Sequence, residues 1–367
     1  MRRRDFLISA GKFGIVLKLS GFSFAVEVPK FSTDLDSLYR RSLVIDALAG
    51  VTDDDGVIKP LALHQALESG VTGVNWTVSQ TDFDGTVAYV AHVQSLPEKD
   101  PAHWIIVRHA SDLAQAKRDG KIGVVLGFQY PQPIEDLDHL EVFHQLGVRV
   151  MQLTYNNRSL LGDGCLEPGN GGLSKLGRAA VAKMNQLGIA VDLSHSGQRT
   201  TADGIEASTK PVLITHSGCS AVFQHPRNKD DKEMRALADR GGVMGIYFMP
   251  YLVASPTLPA REHVLAHLDH ALKVCGEDHV GIGSDGVIDT FPDTPEQRKA
   301  FADDAARRKQ AGIAAPGEDR PPFSQDLNTP HRMEIIADGL SKMGYSTGVI
   351  EKVLGKNFYR AFGEIWG

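Results

Sequence analysis

Two short apolar runs each stop at a histidine: Ile189-Ala190-Val191-Asp192-Leu193-Ser194-His195 and Val212-Leu213-Ile214-Thr215-His216. The 21 positions between His195 and His216 leave room for a strand, a connection with a helix over 198–207, and the next parallel strand. Both imidazoles then stand at the carboxyl ends of neighbouring strands, where an α/β barrel keeps its chemistry. A lone histidine in a core is usually a hydrogen-bonded packing residue. Two on successive strand ends, with Asp285 closing a later apolar run, favour a ligand set. Imidazole nitrogens suit zinc, manganese or iron, and a carboxylate completes three protein ligands with room for water. The metal ligands read here are His195, His216 and Asp285, and the cofactor is one divalent metal, zinc before manganese or iron. Such an ion brings the pKa of bound water down to about 7 and polarises a carbonyl.

Other residues at strand ends join this set: Asp46, Trp76, Gln129, Tyr155 and Phe248. Arg227, in His225-Pro226-Arg227-Asn228, falls on the loop after the sixth strand, where a guanidinium clamps a substrate carboxylate in two-pronged fashion. The bland alternative for Arg227 is a surface ion pair with Asp230 or Asp231. Arg227, Asn228 and Tyr155 are the expected substrate contacts. Asp285, Tyr155 and Gln129 are the expected catalytic groups, for proton transfer and for support of an oxyanion.

The elements that must carry these groups are eight apolar runs, at 43–48, 73–78, 123–129, 148–155, 190–195, 212–216, 243–248 and 280–285. Amphipathic stretches lie between them, among them 136–146, 175–187, 230–240 and 261–274. Gly188, Gly241 and Gly276 follow three of these and read as helix stops. Continuous apolar strands alternating with helices imply a parallel sheet, and eight such units imply a (β/α)8 TIM-type barrel of α/β class. The segment 286–330 breaks the rhythm, with a charged surface helix expected over 295–310. It reads either as a lid or dimer contact over the barrel mouth or as a solvated insertion. Two helices, over 331–343 and 346–362, close the chain.

The 367 residues, 42% hydrophobic and 23% charged, suffice for one large core. A net charge of -6 offers no basic field for nucleic acid, so that partner class is excluded. Cys165, Cys219 and Cys275 have no paired spacing and form neither a disulfide framework nor a metal clip. Cys165, in a glycine-rich loop, is the one thiol with a case for reactivity, and the plainer reading of a small buried residue is preferred to it.

At the amino terminus, Arg2-Arg3-Arg4-Asp5-Phe6-Leu7 precedes a mildly apolar stretch that Lys12 and Lys18 interrupt. This resembles a twin-arginine export signal, with Ser23-Phe24-Ala25 as the cleavage region. The alternative is a cytosolic basic tail. The signal reading divides the chain into a leader, 1–25, and one barrel domain, 26–367. It places the mature protein in a periplasm-like compartment and makes the twin-arginine machinery a partner. That route carries folded proteins, which suits one that acquires its metal before export.

Further blocks give the chain a relation. These include Leu153-Thr154-Tyr155-Asn156, Gly172-Leu173-Ser174, Met184-Asn185-Gln186-Leu187-Gly188, Thr215-His216-Ser217, Gly241-Gly242-Val243 and Gly355-Lys356-Asn357-Phe358. With the histidine runs and the His225–Asn228 block, they resemble the membrane (renal) dipeptidases, peptidase family M19, from about Leu43 to Trp366. The resemblance implies a (β/α)8 barrel that hydrolyses dipeptides with water held between two zinc ions. By it, His195 and His216 match the histidines of one metal position, Asp285 the aspartate beside the water, and Arg227 the arginine gripping the carboxylate. The other position departs. The family's first strand ends in an Asp-Gly-His-Asn-Asp-like motif, and here it reads Asp46-Ala47-Leu48-Ala49-Gly50. Its bridging glutamate is Gln129, a neutral amide with one carbonyl oxygen to offer. Tyr155 replaces a histidine that contacts substrate. Asp46, Asp163, Cys165 and Glu167 are the available substitutes as ligands.

The expected function is therefore a metal-dependent, mononuclear dipeptidase-like hydrolase of a dipeptide or small amide. The alternatives are a repurposed barrel performing a non-hydrolytic tailoring step on an exported small molecule, or a non-catalytic binding protein. A homodimer is expected by analogy with similar barrels.

Overall fold

The computed structural model describes residues 31–54 and 57–367; the expected export leader at 1–25 lies outside them. All eight expected strands form, each parallel to its neighbours and in chain order: β1 (Ile45–Asp46), β2 (Gly73–Thr77), β3 (Ile122–Phe128), β4 (Val148–Gln152), β5 (Ala190–Asp192), β6 (Leu213–Ser217), β7 (Val243–Ile246) and β8 (Val280–Ile282). The ring closes where Ala47 N–H donates to Ile282 O at 2.9 Å. Just beyond, Gly286–Val287 pairs with Ala49–Gly50. The result is a nearly closed (β/α)8 barrel, as the alternation of apolar runs implied. A further strand, Trp104–Ile106, pairs with the first half of β3 and was not anticipated.

Local chemistry fixes the outer helices. Ser174 caps Lys175–Leu187 by accepting from Gly177 N–H at 2.9 Å, and Gly188 ends that helix in the left-handed conformation at φ 72. Asp230 and Glu233 form a reciprocal capping box at the start of Asp231–Asp239. The expected single helix over 346–362 is broken into Thr347–Glu351, a wide turn at Lys352–Lys356, and Asn357–Trp366. The cause is close packing: a Cβ on Gly355 would stand 2.5 Å from Leu43 O. The last helix then plugs the barrel floor, setting Phe358 and Phe362 among Ile45, Val125, Val150, Leu213 and Val243. That leaves the opposite end, beyond the strand carboxyl termini, for a site.

The segment after β8 roofs that end. Its helix, Pro295–Gln310, forms where expected, and Phe323 and Leu327, farther along the segment, are buried and line the cavity. Polar ties pin it to the loops after β4 and β6. Asn156 Nδ2 donates to Ile313 O at 2.9 Å, Asn157 Nδ2 to Gly312 O at 3.0 Å, and His225 Nε2 meets Pro316 O at 2.8 Å. A solvated insertion would have no such ties. Among the described residues, no helix is long and apolar enough to cross a membrane.

Candidate active site

Asp192, at the end of β5, organises the two histidine-bearing strand ends. Its buried carboxylate accepts from Ser194 N–H (3.0 Å) and Ser194 Oγ, and from Thr215 N–H (3.0 Å) and Thr215 Oγ1 (2.5 Å). Burial raises its pKa and these donors oppose the rise. Because Thr215 Oγ1 gives its proton to Asp192, it is an acceptor toward His216 Nδ1 at 2.9 Å. Asn156 Oδ1 likewise accepts from His195 Nδ1 at 2.8 Å. Both rings are thereby held with a proton on Nδ1 and a lone pair on Nε2.

The two Nε2 atoms face each other 3.0 Å apart. Two lone pairs at that distance repel unless a proton on one ring or a cation lies between them. Two imidazoles bound to one tetrahedral zinc would hold their nitrogens about 3.3 Å apart, close to the separation seen. Burial first and the Arg227 guanidinium second push both imidazoles well below their usual pKa. Neutral rings are what a metal requires. The ring of Tyr155 stacks on His195 at 4.2 Å between centroids, and His216 stands edge-on behind it at 5.0 Å. His195 lines the cavity at the barrel mouth, whereas His216 is fully buried.

Asp285 does not complete a ligand triad. Among the described residues, no three His, Cys, Asp or Glu side chains gather closely enough to hold a metal. Instead Gln129 Nε2 donates to Asp285 Oδ1 at 3.3 Å. Asp285 takes φ 60, a left-handed conformation uncommon outside glycine, and its N–H is pinned to Leu48 O at 2.9 Å. Burial raises its pKa to about 7, with Arg227 and the Gln129 hydrogen bond opposing. The carboxyl therefore exchanges a proton near neutrality, which suits an acid–base group.

The remaining expected residues divide. Arg227 is 1% exposed. Its NH1 donates to Ser194 O at 2.6 Å, and its NH2 has no partner. An orphaned, buried guanidinium nitrogen on the cavity wall is a prepared anion contact, and the surface ion pair with Asp230 or Asp231 is not formed. Asn228, expected to touch substrate, is consumed internally: Nδ2 donates to Phe223 O and Tyr251 O, and Oδ1 accepts from Tyr247. Tyr155 does line the cavity, and burial holds its phenol protonated far above the usual range.

The proposed substitutes for the missing ligands are also occupied. Ser284 and Leu48 hold Asp46, Arg158 holds Asp163, and Glu167 pairs with Arg158 at 3.5 Å. Cys165 follows the plainer of its two readings, a small and partly buried thiol. Burial raises its pKa, and its Sγ donates to Asn156 Oδ1 at 3.6 Å. Leu48 and Gly50, at the positions of the absent first-strand ligands, line the cavity without a donor side chain. Among the described residues, the donor atoms that meet are Nε2 of His195 and Nε2 of His216.

Three contributors escaped the sequence reading. Asn156 sits in the block quoted for Tyr155, one residue on, and that adjacency was the available signal. Arg308 and Glu318 come from the roof: they form an ion pair, and Arg308 NH2 donates to Tyr155 Oη at 3.1 Å. Nothing in their charged surroundings marks them.

Comparisons with known proteins place the chain's family and fold. A family model for the membrane dipeptidases, peptidase family M19, matches residues 55–303. Dipeptidase verJ of Clonostachys rogersoniana is 32% identical over 245 residues, 61% of this chain and 62% of that protein. The match thus spans less than two-thirds of that relative's length. An amidohydrolase of Pseudomonas aeruginosa shares the fold with a TM-score of 0.79 at 32% identity, over 91% of this chain and 99% of that one. A metallopeptidase of Rhodobacter sphaeroides, solved with a phosphinate mimic of the dipeptide L-Ala-D-Ala, aligns with a TM-score of 0.71 at 20% identity, over 89% and 100%.

Proposed function

The chain belongs to the membrane dipeptidase family, peptidase family M19, and on that premise we propose that its barrel mouth hydrolyses the amide bond of a dipeptide or small carboxylated amide. The carrying observation is the pair of facing Nε2 atoms of His195 and His216, 3.0 Å apart, together with an unpartnered Arg227 nitrogen on the same cavity's wall. These two histidines would hold one divalent metal, zinc before manganese or iron. Bound there, the ion would acidify water and polarise the scissile carbonyl.

The chain's own residues supply the rest. Arg227 binds the substrate carboxylate and so sets the register of the amide over His195. Asp285 takes the proton from the attacking water and returns it to the departing amine nitrogen. Tyr155, whose oxygen already accepts from Arg308, donates its phenolic proton toward the oxyanion. Gln129 fixes the Asp285 carboxyl without competing for its charge.

A panel of dipeptides assayed with zinc, manganese or iron tests this reading. Turnover that His195→Ala and Asp285→Asn each abolish is expected, and no turnover with any of the three metals contradicts it. The gathering of only two ligands favours a second reading, a non-hydrolytic tailoring step on a small molecule. Accumulation in a deletion strain of a precursor that is neither dipeptide nor amide would support that alternative. The amino-terminal arginine motif supports export to a periplasm-like compartment. Cell fractionation with Arg3 and Arg4 replaced by lysine tests it, retention in the cytoplasm being the expected result.

A further inference from the structure

The cavity has a volume of 1240 Å³, beyond the range of about 300–1,000 Å³ that encloses drug-sized ligands. A dipeptide is smaller still. Arg227 follows β6, and in a ring of eight strands the diametrically opposite strand is β2, whose Trp76 also lines the cavity. The anion contact and the indole therefore bound opposite sides of the mouth.

Within the β1–β2 side, Leu48, Ala49, Val51 and Trp76 form an apolar patch of the cavity wall, with Thr52, Asp53 and Gln80 also lining the cavity. Leu48 and Gly50 occupy the positions at which the resemblance puts a histidine and an aspartate. A Cβ built on Gly50 would meet the Trp76 ring first, at 3.5 Å, so the strand extension and the indole lie in van der Waals reach and a side chain longer than one carbon would press on the ring. From the roof, Phe291 and Phe323 complete this wall, 5.7 Å apart between centroids. Phe291 is held by its backbone, with N–H donated to Asn328 Oδ1 at 2.8 Å and its carbonyl accepting from Asn328 Nδ2 at 2.9 Å. Its backbone is thus fixed without a ligand, and its ring packs against that of Phe323.

We infer that the side of the mouth left without metal ligands is a second subsite, built for a bulky apolar, planar group on the acyl side of an amide whose carboxylate binds Arg227. The inference rests on the proposed hydrolase reading for the orientation of the ligand, but the wall itself does not depend on it. A planar group there meets Trp76 and Phe291 by stacking and removes apolar surface from water. A small acyl group leaves the same wall wet.

Calorimetry on the full chain with three ligands tests this: N-acetylglycine, N-(2-naphthoyl)glycine, and 2-naphthamide, which lacks the carboxylate. N-(2-naphthoyl)glycine should bind more tightly than N-acetylglycine by a factor on the order of ten or more. 2-Naphthamide should bind measurably, and both Gly50→Leu and Phe291→Ala should weaken it and shrink the naphthoyl advantage. Circular dichroism melting identifies a variant that has simply lost its fold, and the other variant then decides. Equal affinity of the two acylglycines overturns the subsite while leaving the Arg227 anchor standing. Binding of 2-naphthamide with neither acylglycine gaining from its carboxylate keeps the subsite and overturns the anchor. No binding by any of the three overturns both.

Discussion

Asn156 Oδ1 accepts the Nδ1 proton of His195 at 2.8 Å, while Asn156 Nδ2 donates to Ile313 O in the roof at 2.9 Å. One carboxamide thus decides which nitrogen of the histidine faces the cavity and ties that decision to the segment covering it. Asn156→Ala should lower zinc affinity by roughly 10- to 100-fold, the usual effect of losing the partner that orients a ligating imidazole. Zinc titration of the metal-stripped protein reads it directly, and an unchanged affinity would show that Asn156 does not orient the ring.

Much of this was legible beforehand, and the parts that were not share a physical cause. The eight strands are short apolar runs, and burial on both faces makes such runs visible. Their ends were read too long. Beyond Asp46 and Asp192 the chain leaves the ladder to satisfy buried carboxylates with Ser284, Ser194 and Thr215. His195 accordingly sits three residues past the end of β5. The Arg308–Tyr155 contact joins residues 153 positions apart. No local periodicity encodes such a pairing, and only the folded roof brings it about.

Arg227→Lys should reduce kcat/KM on carboxylate-bearing substrates by roughly 100-fold, because an ammonium cannot hold Ser194 O and a carboxylate in the same fork. Amidated versions of the same substrates should show little further loss. Comparing the two substrate series in steady-state assays checks this, and an equal loss on both would remove the carboxylate from the argument.

Burial lifts Asp46 to a pKa of about 6, against the donors Ser284 and Leu48 and the charge of Arg332. The folded state therefore binds this proton more tightly than the unfolded chain does. Its contribution to stability is full below about pH 4 and is lost as pH rises through about 6, amounting to roughly 3 kcal/mol. Asp46→Asn imitates the neutral form, and the Ser284 hydroxyl can turn to accept from the new amide. Urea unfolding should find variant and wild type similar at about pH 3.5 and the variant the more stable at about pH 7.5. The reverse ordering would contradict the sign.

Gly164 lets the loop after β4 approach its own start. A Cβ there would lie 2.1 Å from Tyr155 O and 2.4 Å from Asn156 O, and the same loop donates Cys165 N–H to His195 O at 2.8 Å. Gly164→Ala should cost about 1–3 kcal/mol through overpacking and should also weaken metal binding, since the residues displaced are those that hold His195. Denaturant unfolding and zinc titration together test it. Lost stability with unchanged metal affinity would uncouple the loop from the histidine.

The account depends most on His195 and His216 sharing a single cation. Elemental analysis of protein purified without chelator, expressed as ions per chain, measures this most directly. The predicted value is close to one for the wild type and close to zero when both histidines are replaced by alanine. Two ions per chain, none in the wild type, or one that survives the double replacement would contradict it.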